Sequence, residues 1–255
     1  MADKWKGKIA VITGSSSGIG FATFQQFIKN GIITIGLDIN IEKTIEYINQ
    51  EEISNGFAYE CDISNENSVA KIFSEIKNKF SFIHILINNA GIGRKAEVLD
   101  DDEESLRNMN LVIDTNFRGL LHCTRQSFKL MSASNDYGLI ININSITGHL
   151  VPFTSFSMNV YSPTKFAGRA LTESIRHELF RNGNKKIRIG NISPGLVESN
   201  FAASSKYFDE LEQHSFSDVP LLKPIEIAKC IMFILSTPYE VNINDIIIRS
   251  TGEQF

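Results

Sequence analysis

Tyr161 and Lys165 stand four residues apart, the interval that brings two side chains onto one face of a helix. A free phenol titrates near 10, too high to serve as a base at neutral pH. An adjacent ammonium favours the phenolate. Lowering the phenol by ~3 pKa units takes about 4 kcal/mol of differential stabilisation, within reach of close charges in a poorly solvated pocket. A phenol so placed can take a proton from an alcohol or return one to an alkoxide. Ser145, 16 residues upstream, offers a hydroxyl that can hold the same oxygen. Alone, a Tyr/Lys pair at this spacing reads as an amphipathic surface pair, and Ser145 as a turn residue. Pro163 lacks an amide hydrogen and fits only the first turn of a helix, so a helix starts close to Tyr161.

The elements that must position these residues alternate along the chain. Short β-rich apolar runs fall at 8–13, 32–38, 57–62, 82–88, 139–144, 187–193 and 244–249. Between them lie helix-length segments at 19–29, 41–52, 68–79, 103–131, 161–182 and 224–236. This alternation predicts an α/β fold, a Rossmann-type doubly wound domain with a seven-stranded parallel sheet and helices on both faces. No repeat, low-complexity tract or linker divides the chain, so residues 1–255 read as a single domain. Two polar-aromatic stretches break the rhythm after strands, about 146–159 and 198–222, and are the expected substrate loops.

Directly after the first strand comes Thr13-Gly-Ser-Ser-Ser-Gly-Ile-Gly20. Gly14 permits a sharp turn, Gly18 a close approach of backbone to pyrophosphate, and Gly20 tight packing of helix on sheet. With Ser16, Ser17 and Ile19 they form a turn whose free N–H groups face phosphate at a helix N-terminus. Asp38 closes the second strand 18 residues beyond Gly20, beside Ile39. A carboxylate there accepts from both adenosine ribose hydroxyls and repels a 2′-phosphate, which predicts NAD over NADP. The competing role is to cap the helix that starts near Ile41. Asp62 and Ile63 either hold the adenine or open the next helix with Asp62 as its cap.

Composition narrows the field. The formal charge of −4 and pI near 5.8 leave no basic field for nucleic acid or anionic lipid. The cysteines Cys61, Cys123 and Cys230 form no CxxC and no disulfide framework. No signal-type segment or apolar stretch of membrane length occurs, so a cytoplasmic location is expected. His122, His149 and His214 fall into no metal-ligand spacing with these cysteines, and no metal is expected.

Further motifs follow in order. Asn88-Asn-Ala-Gly91 follows the fourth strand, Asn116 lies in the long helix before the fifth, and Ser145 ends the fifth. Then come Tyr161-Ser-Pro-Thr-Lys165 and, after the sixth strand, Ser193-Pro-Gly-Leu-Val-Glu-Ser199. With the TGxxxGxG turn, this ordered set resembles the short-chain dehydrogenase/reductase family over practically the whole chain. The Trp5-Lys-Gly-Lys opening, Asn142-Ile-Asn-Ser-Ile-Thr-Gly-His149 and the Arg249-Ser-Thr-Gly-Glu ending are similar to insect farnesol dehydrogenase-like members. The resemblance implies hydride transfer between a nicotinamide coenzyme and an alcohol or carbonyl. It assigns Tyr161 as acid/base, Ser145 to the reacting oxygen and Lys165 to the nicotinamide ribose. Asn116 would hold a water that links Lys165 to solvent. Further coenzyme contacts are implied at Asn89, Ala90, Gly91, Tyr161, Pro194, Gly195, Val197 and Ser199. Many such members use NADP and carry basic residues after the second strand, where this chain has Leu37-Asp38-Ile39-Asn40. The alternatives are therefore an NADPH-dependent carbonyl or steroid reductase and, further off, a coenzyme-binding sensor without chemistry. Ser145 and Tyr161 lie a few residues further apart than is commonest in the family, which lengthens the flanking loop.

Leu150, Val151, Phe153, Phe156 and Met158, with Phe201, Tyr207, Phe208, Leu211 and Phe216, suggest an apolar pocket for a lipophilic, terpenoid-like alcohol or carbonyl. Core or oligomer contacts are the competing use of each. By the resemblance, segments 103–131 and 161–182 pair across subunits of a homodimer or homotetramer.

Overall fold

The computed structural model describes residues 3–154, 157–198, 201 and 221–253. Seven parallel strands form one sheet in the order β3-β2-β1-β4-β5-β6-β7. They are β1 (Ile9–Thr13), β2 (Ile33–Asp38), β3 (Gly56–Glu60), β4 (Ile85–Asn88), β5 (Gly138–Ile143), β6 (Ile187–Pro194) and β7 (Asp245–Ile248). The helices with both ends described are α1 (Gly18–Lys29), α2 (Glu42–Gln50), α3 (Glu66–Phe80), α4 (Glu103–Ile113), α5 (Leu120–Ser134), α6 (Tyr161–Arg181) and α7 (Pro224–Ser236). Strand order reverses between β1 and β4, which opens a crevice at their carboxyl ends where α/β sheets bind ligands.

Alternation along the strands separates two cores. Val11, Ile35, Ile140 and Ile189 face α3, α5 and α6 through Val69, Phe73, Cys123, Met131 and Leu179. Ala10, Ile12, Ile85, Ile141 and Ile192 face the opposite side, where Phe24, Phe27, Ile227 and Ile231 of α1 and α7 cover them. Trp5 is fully buried in this second core and donates its indole N–H to Leu235 O at 2.8 Å.

Near the carboxyl end the apolar interior gives way to a polar rung. Asn88, Asn142 and Asn191 are register partners on β4, β5 and β6. Asn88 Nδ2 donates to Asn142 Oδ1 (2.8 Å) and Thr124 Oγ1 (2.9 Å), and Asn142 Nδ2 donates to Thr172 Oγ1 (2.9 Å). The Thr172 hydroxyl reaches Asn191 Oδ1 at 2.8 Å. Buried amides need partners, so these bonds fix α5 and α6 against the strand ends.

The segment expected as one helix over 103–131 is divided by a π-helical stretch, Asp114–Gly119, that carries Asn116. Apolar periodicity does not register such a widened turn, which marks functional sites with some frequency. Asp62 does not cap α3. Asn65 does, accepting from the amides of Asn67 and Ser68, because Asp62 is engaged by the Ser64 amide and hydroxyl.

Candidate active site

Gly14 has φ +67° and Gly18 φ +47°, conformations that L side chains rarely adopt. A Cβ on Gly20 would lie 2.0 Å from Gly14 O and 2.5 Å from Asn89 Nδ2. Asn89 explains the crowding: its Nδ2 donates to Thr13 O and Gly14 O, both at 3.0 Å. Thr13 Oγ1 accepts from the amides of Asn89 and Ala90. The side chain of Asn89 therefore braces the glycine turn, with Thr13 as a partner that the sequence reading passed over. Ser17 caps α1 without a side-chain hydrogen bond.

Asp38 Oδ2 accepts from the Ser16 amide at 2.9 Å, which fixes the carboxylate at the lip of the turn. The cap role weighed against it falls to others: Ile41 occupies the N-cap of α2, and Asn40 Oδ1 accepts from the Glu42 amide. Ile39 beside it is exposed. The nearest basic residue along the chain, Lys43, sits over the Phe21 ring, 4.5 Å from its centroid. Asp62 and Ile63 follow β3, and Gly119 of the π stretch packs on Ile63, where an added Cβ would meet Ile63 O at 2.8 Å.

Past the crevice, Ser145 caps the 3-10 turn Ile146–Gly148, and its Oγ accepts from the Thr147 amide (3.1 Å) and hydroxyl (3.0 Å). α6 packs against this turn. It begins at Tyr161, with Pro163 in its first turn as required. The Tyr161 side chain is buried, with the Phe201 ring 5.4 Å away. One turn on, Lys165 Nζ lies 5.6 Å from the Tyr161 ring centroid and donates to Ile143 O at 3.1 Å, two residues before Ser145. Burial alone pulls its ammonium down to about 8.

Asn116 faces the same group. Its Oδ1 accepts from the Ile92 amide (2.8 Å) and its Nδ2 donates to Ile92 O (2.9 Å), so the amide pins the loop after β4. Gly91 of that loop adjoins both: a Cβ there would lie 3.4 Å from Asn116 Oδ1 and 3.6 Å from Lys165 Nζ. Behind Lys165 is a cavity of about 10 Å3, lined by Asn116, Asn142, Asn144, Thr164 and Asn191 among others. Asn144 Nδ2 is buried there without a hydrogen-bond partner among the described residues. This is room and polarity for one water.

The Pro194-Gly195 turn ends β6, with the Gly195 amide donating to Ile248 O and Val197 bridging Leu222. Ser199, Phe156, Tyr207, Phe208, Leu211, His214 and Phe216 lie outside the described residues. Of the apolar candidates that are described, Val151 and Phe153 stand exposed, while Leu150 and Met158 are half-buried. Among the described residues no group of three His, Cys, Asp or Glu could hold a metal ion. No helix among them is long and apolar enough to cross a membrane.

Fold, glycine turn and Tyr-Lys helix converge on one class, and residues 8–209 match the short chain dehydrogenase family. The chain belongs to that family of oxidoreductases, which bind a nicotinamide coenzyme. Among its relatives is a farnesol dehydrogenase of Aedes aegypti, 34% identical over 99% of this chain and 100% of its own length. Dehydrogenase/reductase SDR family member 11 of Gallus gallus is 38% identical over 98% and 99%. The closed form of serine dehydrogenase complexed with NADP+ superposes with a TM-score of 0.83 at 26% identity, covering 97% of this chain and 98% of that one.

Proposed function

We propose that this chain interconverts a lipophilic alcohol and its ketone or aldehyde by hydride transfer, with NAD as preferred coenzyme and Tyr161 as acid/base. The observation that carries the reading is Lys165, a partly buried cation beside the Tyr161 ring whose only described hydrogen bond goes to a carbonyl. An ammonium held this way stabilises the anion of a neighbouring acid, and with its value near 8 it remains mostly charged at neutral pH. The coenzyme supplies the hydride acceptor when bound. Gly14, Ser16, Ser17, Gly18, Ile19 and Gly20 would hold its phosphates. Asp38 with Ile39, and Asp62 with Ile63, would hold the adenosine. The nicotinamide half would fall to Asn89, Ala90, Gly91, Tyr161, Lys165, Pro194, Gly195, Val197 and Ser199.

In oxidation Tyr161 takes the carbinol proton while Ser145 hydrogen-bonds the same oxygen and holds it in place. Lys165 keeps the phenolate accessible. Asn116 fixes the loop beside Lys165, and a water in the adjoining cavity would link Lys165 to solvent. In reduction the same groups act in reverse.

A terpenoid-like substrate is supported by the exposed Val151 and Phe153 in the segment that follows Ser145, by Phe201 on Tyr161, and by the name of the mosquito relative. Assembly through segments 103–131 and 161–182 is supported by Leu106, Leu111 and Phe166, apolar side chains left exposed on them. Cytoplasmic residence rests on the sequence alone.

The reading is tested with purified protein, farnesol-type, steroid and short aliphatic alcohols, and both coenzymes. Tyr161→Phe is expected to lower kcat by about 10³-fold with coenzyme Kd within threefold; residual activity above a tenth rules Tyr161 out. NAD is expected to exceed NADP in kcat/KM by at least about tenfold, from the charge of Asp38. The second reading, an NADPH-dependent carbonyl reductase, draws support from the NADP+ in the serine dehydrogenase complex. It gains the ground if that ratio inverts.

A further inference from the structure

His149, Ser193, Asp245 and Arg169 come from four separate segments and meet beside the catalytic groups proposed above, without a part in the steps given to them. His149 Nε2 lies 2.9 Å from Ser193 Oγ, which donates to Asp245 Oδ1 at 2.9 Å. Arg169 Nε and His149 Nε2 each lie 3.4 Å from Asp245 Oδ2. A hydroxyl has one proton. Since Ser193 gives it to the carboxylate, the imidazole carries hydrogen on Nε2 and donates to Ser193, so the chain of bonds runs His149 to Ser193 to Asp245. Burial lowers the His149 pKa, the Arg169 charge adds to this and the Asp245 charge opposes it, in keeping with a neutral ring.

Position gives the chain its meaning. His149 is the residue next to the 3-10 turn that Ser145 caps, and its amide donates to Ile146 O. Arg169 sits one helical turn beyond Lys165 on α6. Ser193 is fully buried and immediately precedes the Pro194-Gly195 turn, and Asp245 opens β7. One hydrogen-bonded unit thus ties the Ser145 segment to the ends of β6 and β7 and to the Lys165 helix.

We propose that His149 is a positioning residue, whose Nε2–H bond to Ser193 locks the Ser145–Gly148 turn onto the β6–β7 ends and so sets where the Ser145 hydroxyl stands. The bond is directional, and a ring of similar volume without a donor cannot make it. The consequence for turnover rests on the proposed roles of Ser145 and Lys165; the lock itself does not.

The test compares His149→Phe, His149→Gln, Ser193→Ala and the double variant His149→Phe/Ser193→Ala with the parent. Gln carries an N–H near the position of Nε2. Amide hydrogen exchange of residues 146–150, followed by mass spectrometry, reads the lock without any need for turnover. His149→Phe and Ser193→Ala are each expected to speed exchange there at least about tenfold, His149→Gln to stay within about threefold of the parent, and the double variant to match the single ones. With an alcohol substrate, His149→Phe is expected to lower kcat at least about tenfold with coenzyme Kd within twofold, and His149→Gln to restore it. Parent-like exchange in His149→Phe, equal damage in His149→Gln, or additive effects in the double variant overturn the proposal. A parent without turnover on any alcohol overturns the proposed function instead, and the exchange data still decide the lock.

Discussion

His84 and Lys165 are nitrogen bases packed against the same sheet at opposite ends of its strands, and their surroundings differ in kind. His84, just before β4, is nearly fully buried. Its Nδ1 accepts from the Ile9 amide at 3.1 Å, and its Nε2 lies 3.6 Å from Asp136, which also pairs with Lys8. Tyr137 and Tyr239 stack beside this group, with Lys4 over the Tyr239 ring. Each polar group there answers another. Lys165, at the carboxyl end of β5, has a backbone carbonyl and an aromatic ring. Burial pulls both bases down, but the lysine, mostly charged at neutral pH, has no carboxylate acting on it among the described residues. A partly buried cation with no counter-ion among the described residues costs stability, and folds keep one where chemistry uses it.

Replacing the lysine presses hardest on this contrast. Lys165→Met is expected to lower kcat/KM by about 10²–10³-fold while raising Tm by a few degrees, because an uncompensated charge leaves the interior. A drop in Tm, read by calorimetry, would break the comparison. Gly20→Ala comes next. Its Cβ meets backbone at 2.0 Å, so the turn must open, and coenzyme Kd is expected to rise at least about tenfold by equilibrium titration. Unchanged binding would show that the crowding around Asn89 is slack. The smallest effect belongs to the amino end. The folded-state pKa of His84 is lowered, first by burial and then by Lys8, so the unfolded chain takes up a proton first. Its contribution to stability is complete above the unfolded value of 6.5 and is lost as pH falls toward the folded one. His84→Asn keeps an acceptor for the Ile9 amide and is expected to flatten that acid limb, with turnover within twofold. Denaturation curves at pH 5 and pH 7.5 measure it.

How far the sequence reads depends on the range of the physics. The glycine turn, the Tyr-Lys interval and the Pro163 helix start are local rules, and the structure has each where the spacing demands. Strand alternation gave the seven-stranded parallel sheet with ends shifted by a few residues, as for β3, which stops at Glu60. Two features needed coordinates. The π stretch at Asn116 disturbs an apolar pattern too little to be seen in it. The four residues of the His149 unit are spread over 96 positions, and no spacing rule connects 149, 169, 193 and 245. The Asn88, Asn142 and Asn191 rung stood in between: each asparagine falls near the end of an apolar run, and strand register then aligns them.

The π stretch has a mechanical consequence. Gly119 presses on Ile63 at the far side of the crevice, and three residues earlier Asn116 grips the backbone of Ile92 with both amide atoms. Less than one winding of backbone separates the residue packed on Ile63 from the strut behind Lys165. Those six residues thus join the Ile63 side of the crevice to the Ile92 side within a single stretch of backbone.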